Sequence, residues 1–175
     1  MEPLTLAEVA AATGATLEDG DGRRLVRRVC TDSREVRAGD LFVCLEGPRH
    51  DGHEYAARAL LSGAVAVLAH RPLRTLRPVL AVADTREALG ALGRAVRCAR
   101  GGDEPLVIGI TGTNGKTSTK ELVAAALGSR LPTVASRRSF NNAIGVPLTL
   151  LEIGAGTRAV VVELGTNAPG EIAQL

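Results

Sequence analysis

Residues 109–118, GITGTNGKTS, decide how the rest of the chain is read. They follow the apolar LVI of 106–108 and lead into a helical pattern, KTSTKELVAAALGS, over 116–129. Strand, glycine loop and helix in that order make a phosphate cradle. The glycines let backbone N–H groups converge on phosphate oxygens, a lysine meets the β and γ phosphates, and a hydroxyl holds Mg²⁺. The start of the helix adds its partial positive charge. The candidate nucleotide contacts are Gly112, Thr113, Asn114, Gly115, Lys116, Thr117 and Ser118. The strict spacing G-x-x-x-x-G-K-[ST] would place a glycine at 110, where this chain has Ile110; its glycines fall at 109 and 112.

Downstream, PTVAS (132–136) and RAVVVELG (158–165) read as further strands, so strand and helix alternate as in a parallel, three-layer α/β sheet. Glu163 closes the second of these runs. Ligands gather at the carboxyl ends of such strands, and a carboxylate there is a hard oxygen donor for a second Mg²⁺; an N-cap or surface acid is an equal alternative. Asn141 and Asn142 sit between the strands, where paired amides either bind a polar ligand or, the preferred reading on chemistry alone, make a turn. Only three strands are laid down by Leu175, a thin sheet for this class.

Upstream, LTLAEVAAATGA opens with Thr5 and Glu8, a capping box, and closes at Gly14, which predicts a short first helix. LVRRVCTDSREV and DLFVCLEG are β-rich, and GHEYAARALLSGA has helical spacing. AVAVLAH and PVLAVAD are buried-strand runs, and TREALGALGRAVRCAR is an amphipathic helix with Thr85 as its expected N-cap. Residues 1–100 thus form a small α/β domain, 101–105 (GGDEP) a linker, and 106–175 the phosphate-loop domain. Ser33 and Arg34 follow a strand, and arginine suits bidentate oxyanion contacts. His50 and His53 flank Asp51, too few ligands for a metal site, so a loop and helix start is expected there.

Composition narrows the function classes. The formal net charge is +2, with neither half a basic patch, and aromatics are 2%, so a nucleic-acid binder is not expected. Three cysteines without a C-x-x-C pair read as free thiols in a reducing cytosol. Neither a signal peptide nor a run long enough to span a bilayer is present, which predicts a cytoplasmic protein.

The quoted loop, the stretch TDSREVRAGDLFVCLEGPRHDGHEYAARALLSGAVAVL (31–68), SFNNAIGVPLTLLEI (139–153) and VVELGTNAPGEIAQL (161–175) together resemble the Mur ligase family. These are the ATP-dependent ligases that build the peptide of the bacterial cell-wall precursor. The resemblance implies an N-terminal UDP-binding domain followed by the first part of a central ATP-binding domain. It also implies ATP and Mg²⁺ as cofactors. The last two stretches resemble the member that joins D-alanyl-D-alanine to UDP-N-acetylmuramoyl-tripeptide through an acyl phosphate, releasing ADP and phosphate. The alternative is the preceding member, acting on the UDP-muramoyl dipeptide, which carries a threonine-threonine-proline stretch where this chain has Phe140, Asn141 and Asn142. A non-catalytic UDP-sugar or nucleotide-binding module is the other alternative. Folate–polyglutamate ligases share the loop but not the first domain, and a switch GTPase would need an N-K-x-D run.

Carried over residue by residue, Lys116 clamps the β and γ phosphates, Thr117 binds the first Mg²⁺ and Glu163 the second, near the acyl carboxylate. Asn141 and Asn142 face the muramoyl-peptide, and Ser33 and Arg34 line the uridine diphosphate pocket. Family members run to well over twice this length and are expected to be monomers. The resemblance therefore implies an N-terminal fragment that is inactive alone, with an apolar sheet edge exposed.

Overall fold

A computed structural model describes residues 1–48, 50–73, 78–99, 105–137, 140–166 and 168–175, and the chain divides into two units, Glu2–Ala91 and Leu92–Leu175. The first unit begins with β1 (Leu4–Thr5) and α1 (Leu6–Thr13). The expected capping box is present: Thr5 Oγ1 accepts from the Glu8 N–H at 3.1 Å, and the Thr5 N–H reaches Glu8 Oε2 at 2.7 Å. Gly14 ends the helix at φ 68°, the left-handed conformation that glycine adopts without Cβ strain.

The unit continues through β2 (Thr16–Glu18), β3 (Leu25–Val26), β4 (Arg28–Cys30), β5 (Asp40–Val43), a 3-10 turn (Gly52–Tyr55), α2 (Ala56–Leu61), β6 (Ala66–Ala69) and β7 (Val79–Ala81). The sheet runs β2-β7-β6-β5-β4, parallel except for antiparallel β2 at one edge. β5 and β6 are buried along their whole length, which is why DLFV and AVLA lack the alternation of a half-exposed strand. Phe42, Val67 and Val79 form a core with Ala56 and Ala59 of α2.

Helix α3 (Thr85–Cys98) starts at the residue expected to be its cap, one residue earlier than anticipated. Asp84, not Thr85, is the N-cap: its Oδ1 accepts from the N–H groups of Arg86 at 2.6 Å and Glu87 at 3.0 Å. A carboxylate satisfies two orphan donors and meets the positive end of the helix, whereas Thr85 is buried with its hydroxyl beside His70 Nδ1. Of the expected linker 101–105, only Pro105 lies within the described residues.

The second unit holds β8 (Leu106–Ile110), α4 (Lys116–Gly128), β9 (Thr133–Ala135), α5 (Gly145–Leu150), β10 (Ala159–Glu163) and α6 (Glu171–Gln174). The three strands expected from the sequence are β8, β9 and β10, all parallel, in the order β8-β10-β9. β10 is central and buried at every residue. Helix α5 was not anticipated. Pro147 is tolerated in its first turn, where backbone N–H groups lack intrahelical partners. Gly145 is required: a Cβ there would lie 2.5 Å from the Phe140 Cα.

Candidate phosphate and metal site

Register brings the site together. Glu163, the last residue of β10, pairs with Ile110, the last residue of β8 before the glycine loop. The Leu164 N–H donates to the Ile110 carbonyl at 2.8 Å, extending that pairing by one step. Ile110, the departure from the strict loop pattern, is buried as the end of a strand rather than exposed as part of a turn. Glu163 and the loop therefore stand side by side at the carboxyl edge of the sheet, where open α/β sheets place ligands.

The loop itself needs its glycines. Gly112 (φ 144°) and Gly115 (φ 76°) both have positive φ, conformations that other L residues adopt only under strain. Gly115 is the N-cap of α4 and has no side chain, so no side chain caps the helix start. Backbone N–H groups at an uncapped helix start, next to a lysine, are what a phosphate requires. Lys116 Nζ donates to the carbonyls of Gly112 at 2.6 Å and Thr113 at 3.3 Å, so the loop curls round its own lysine. Thr113, Asn114, Thr117 and Ser118 are all exposed.

Glu163 is buried and held on both oxygens. The Thr117 hydroxyl donates to Oε2 at 2.9 Å, and Asn141 Nδ2 donates to Oε1 at 2.9 Å. Asn141 is locked by its own backbone, because its carbonyl accepts from the Gly165 N–H at 2.7 Å. Its side chain also fills the space a Cβ at Gly165 would take, 2.8 Å from Asn141 Cγ. Asn142 behaves differently: its Oδ1 accepts from the N–H groups of Ile144 and Gly145, closing the turn into α5. Of the paired asparagines, one touches the carboxylate and the other builds the turn. Lys116, Thr117, Asn141 and Glu163 are thus assembled by one unit.

Three residues behind the carboxylate were not singled out from the sequence. Ser136 Oγ accepts from the Glu163 N–H at 3.2 Å and lies 3.4 Å from the Thr149 hydroxyl, and Lys120 Nζ donates to the Ser136 carbonyl at 2.7 Å. A sequence signal for Lys120 existed. It and Lys116 are the only lysines in a chain with 21 basic residues, and they are one helical turn apart.

Ser33 and Arg34 belong to the other unit. Arg34 forms a bidentate pair with Asp32 at 2.6 to 3.2 Å, and hydrogen bonding to the arginine side chain and backbone holds the Asp32 carboxyl down at about 2. Ser33 is half-buried in the same loop. That loop is anchored by buried Asp40, which takes Arg28 Nε at 2.9 Å and Nη2 at 2.5 Å, while Arg28 Nη2 also reaches the Glu35 carbonyl.

The unit that holds Ser33 and Arg34 also carries a cleft of 470 Å³ lined by Glu46, Gly47, Pro48, His70, Asp84, Thr85 and Arg86. His53, which spacing assigned to a helix start, lies in the 3-10 turn as expected. It is buried, with Nδ1 2.6 Å from Asp51 Oδ1 and Nε2 accepting from the His70 N–H at 3.4 Å. Arg71 pairs with the other Asp51 oxygen. No group of three or more His, Cys, Asp or Glu side chains that could hold a metal ion occurs among the described residues.

Comparison with known proteins agrees along the whole chain. The family model for the Mur ligase middle domain matches residues 110–175, and that for the Mur ligase family catalytic domain matches 25–97. The chain is 40% identical over 176 residues to the UDP-N-acetylmuramoyl-tripeptide–D-alanyl-D-alanine ligase of Escherichia coli, covering 99% of this chain and 37% of that relative. It is 38% identical to the ligase of the same name from Mycobacterium leprae, covering 100% of this chain and 39% of that relative. Crystal structure I of MurF from Acinetobacter baumannii superimposes with TM-score 0.92 at 37% identity, over 99% of this chain and 38% of that one. MurF of Thermotoga maritima, solved in complex with ADP, gives TM-score 0.76 at 34% identity over 85% of this chain and 34% of that one. The chain spans about two fifths of the length of the curated relatives it matches.

Proposed function

Because the chain belongs to the Mur ligase family, we propose that it supplies the phosphate-loop and UDP-binding parts of an ATP-dependent amide ligase of peptidoglycan-precursor synthesis. The reaction is the joining of D-alanyl-D-alanine to UDP-N-acetylmuramoyl-tripeptide. The observation that carries this reading is the convergence of Thr117 and Asn141 on the two oxygens of Glu163, beside a glycine loop with an uncapped helix start.

A carboxylate is a poor electrophile until one of its oxygens becomes a good leaving group. Transfer of the γ-phosphoryl group of ATP to the tripeptide carboxylate makes that oxygen a phosphate. The amine of D-alanyl-D-alanine then attacks the carbonyl, and the C–O bond to phosphate breaks as the amide forms. The chain's own residues stabilise charge in the phosphoryl step. The N–H groups of 115–118 and the Lys116 ammonium meet phosphate oxygens. The donor set suits Mg²⁺, since the Thr117 hydroxyl and Glu163 carboxylate are hard oxygen ligands side by side. In this reading the Thr117 hydroxyl would hold one Mg²⁺ and the Glu163 carboxylate a second. Mg²⁺ supplies neutralisation of the charge that develops on the transferring group. Asn141, which holds Glu163 in place, and Asn142 serve the muramoyl-peptide side of the site, and Ser33 and Arg34 serve the uridine diphosphate.

Isothermal titration tests the reading, with UDP-muramoyl-tripeptide and Mg-ATP offered separately. Binding of both, with Mg-ATP binding abolished in Lys116→Ala, is the expected result. Tripeptide binding without any Mg-ATP binding would instead support a recognition module, and binding of neither would sink both.

A further inference from the structure

Lys120 is 0% exposed and is the one buried lysine or arginine among the described residues. Burying an ammonium is costly, and replacing a buried charge by an apolar side chain of similar shape is often neutral or stabilising. Stability alone does not account for a charge at this position. Its geometry does. In a regular parallel ladder, a residue that donates to one carbonyl accepts from the N–H two residues further along the partner strand. The Ser136 N–H donates to the Val161 carbonyl at 2.9 Å, so the Ser136 carbonyl would next take the Glu163 N–H. Instead that carbonyl takes Lys120 Nζ at 2.7 Å, and the Glu163 N–H turns to Ser136 Oγ at 3.2 Å.

We propose that Lys120 is a positioning residue of the magnesium–nucleotide site. By capturing the Ser136 carbonyl it ends the β9–β10 ladder one residue short, moves the Glu163 N–H onto the Ser136 hydroxyl, and so fixes where the Glu163 carboxylate stands opposite Thr117. The inference rests on the reading of Thr117 and Glu163 as the metal-binding pair. Three features agree with it. Lys120 lies three residues after Thr117 on the same helix face, so one rigid element carries both the hydroxyl and the residue that places its partner. The ammonium is balanced by Glu121 Oε1 at 2.8 Å, so the contact to Ser136 does not leave a bare buried charge. The Thr149 hydroxyl, which donates to the Gly145 carbonyl at 2.9 Å, lies 3.4 Å from Ser136 Oγ, tying α5 to the same hydroxyl.

The test is ADP binding by calorimetry, with and without Mg²⁺, to the wild-type chain, Lys120→Met, Ser136→Ala and the pair. In the wild type Mg²⁺ tightens ADP. In Lys120→Met and in Ser136→Ala, metal-free ADP affinity stays within about twofold while the Mg²⁺-dependent tightening falls by about tenfold. The double variant is no worse than either single one, as expected of residues acting in series. Ser136→Thr, which keeps a hydroxyl, restores the tightening. Wild-type tightening in a folded Lys120→Met, or an equal loss of affinity with and without metal, overturns the proposal. If Lys120→Met does not fold, Ser136→Ala and Ser136→Thr decide by the same criteria. Should the wild type show no Mg²⁺-dependent ADP binding, the metal-pair reading has failed, and amide exchange still tests the placement. With Lys120 present, Ser136→Ala then speeds exchange of the Glu163 amide about tenfold while Val161 is unchanged; in Lys120→Met, where that amide returns to the Ser136 carbonyl, the same substitution changes it less than about twofold, and an equal effect in both backgrounds overturns the proposal.

Discussion

Each oxygen of Glu163 has one donor, Thr117 on one side and Asn141 on the other, so the two truncations have different consequences. Thr117→Val removes an exposed hydroxyl whose place on Oε2 water can take, so it is expected to weaken Mg-ADP by about 2 kcal/mol, roughly thirtyfold, with little change in melting temperature. Asn141→Ala leaves a buried carboxylate oxygen unpaired and should cost about 1–3 kcal/mol in stability as well, read by thermal denaturation. Asp32 offers a direct check on the other unit. Its carboxyl, held at about 2 by Arg34, is lowered in the folded chain, so the pair stabilises above pH 3.8 and is lost as pH falls toward 2. Arg34 is largely exposed and Asp32 about one third exposed, so the energy is small, but NMR titration should find the Asp32 midpoint well below the ordinary 3.8. His53 has the opposite consequence. Burial, and then the neighbouring His70, lower its affinity for a proton below the ordinary 6.5. Above pH 6.5 both folded and unfolded states are neutral there. Below it the unfolded chain binds the proton more readily, so stability falls as pH drops, and His53→Gln should flatten that slope in melting curves between pH 7 and 5.

The elements differ in how locally they are specified. Helix α1 carries its own start and stop: Thr5→Ala removes the capping box and should cost about 1 kcal/mol in a denaturant melt. Helix α3 shows the limit of a local rule. Asp84 and Thr85 are both good caps by type, and burial of Thr85 against His70 leaves Asp84 as the residue free to fold over the helix start. Helix α5 has no strong periodic signal. It exists because Asn142 closes its entry and because Gly145 lets Phe140 approach, so Gly145→Ala should destabilise the second unit by about 1–3 kcal/mol. Strands β5, β6 and β10 were legible as apolar runs because they are covered on both faces.

At the scale of the whole molecule, the described residues contain no helix long and apolar enough to cross a membrane, and burial sorts the thiols. Burial pushes Cys44 up to about 12 and raises Cys30, while Cys98 is exposed. A thiol-reactive dye should therefore label one cysteine rapidly and two only on unfolding. The sheet of the second unit ends at β8, where Leu106 is 55% exposed, and Leu122 on α4 is 72% exposed. An open strand edge is a template for pairing between chains, so Leu106→Lys is expected to lower concentration-dependent light scattering.

By itself the sequence determined the class of fold, the strand, glycine loop and helix over 106–128, the caps of α1 and the three parallel strands of the second unit. Each of these depends on neighbours within about a dozen residues, through hydrogen bonding at helix ends, positive φ at glycine, or apolar periodicity. Only the tertiary structure decided which asparagine meets Glu163, that Asp84 caps α3, and that Lys120 and Ser136 stand behind the carboxylate. Those assignments depend on β-strand register and on where a ladder stops. Register joins Glu163 to Ile110 across more than fifty residues of chain, and no local pattern encodes that pairing.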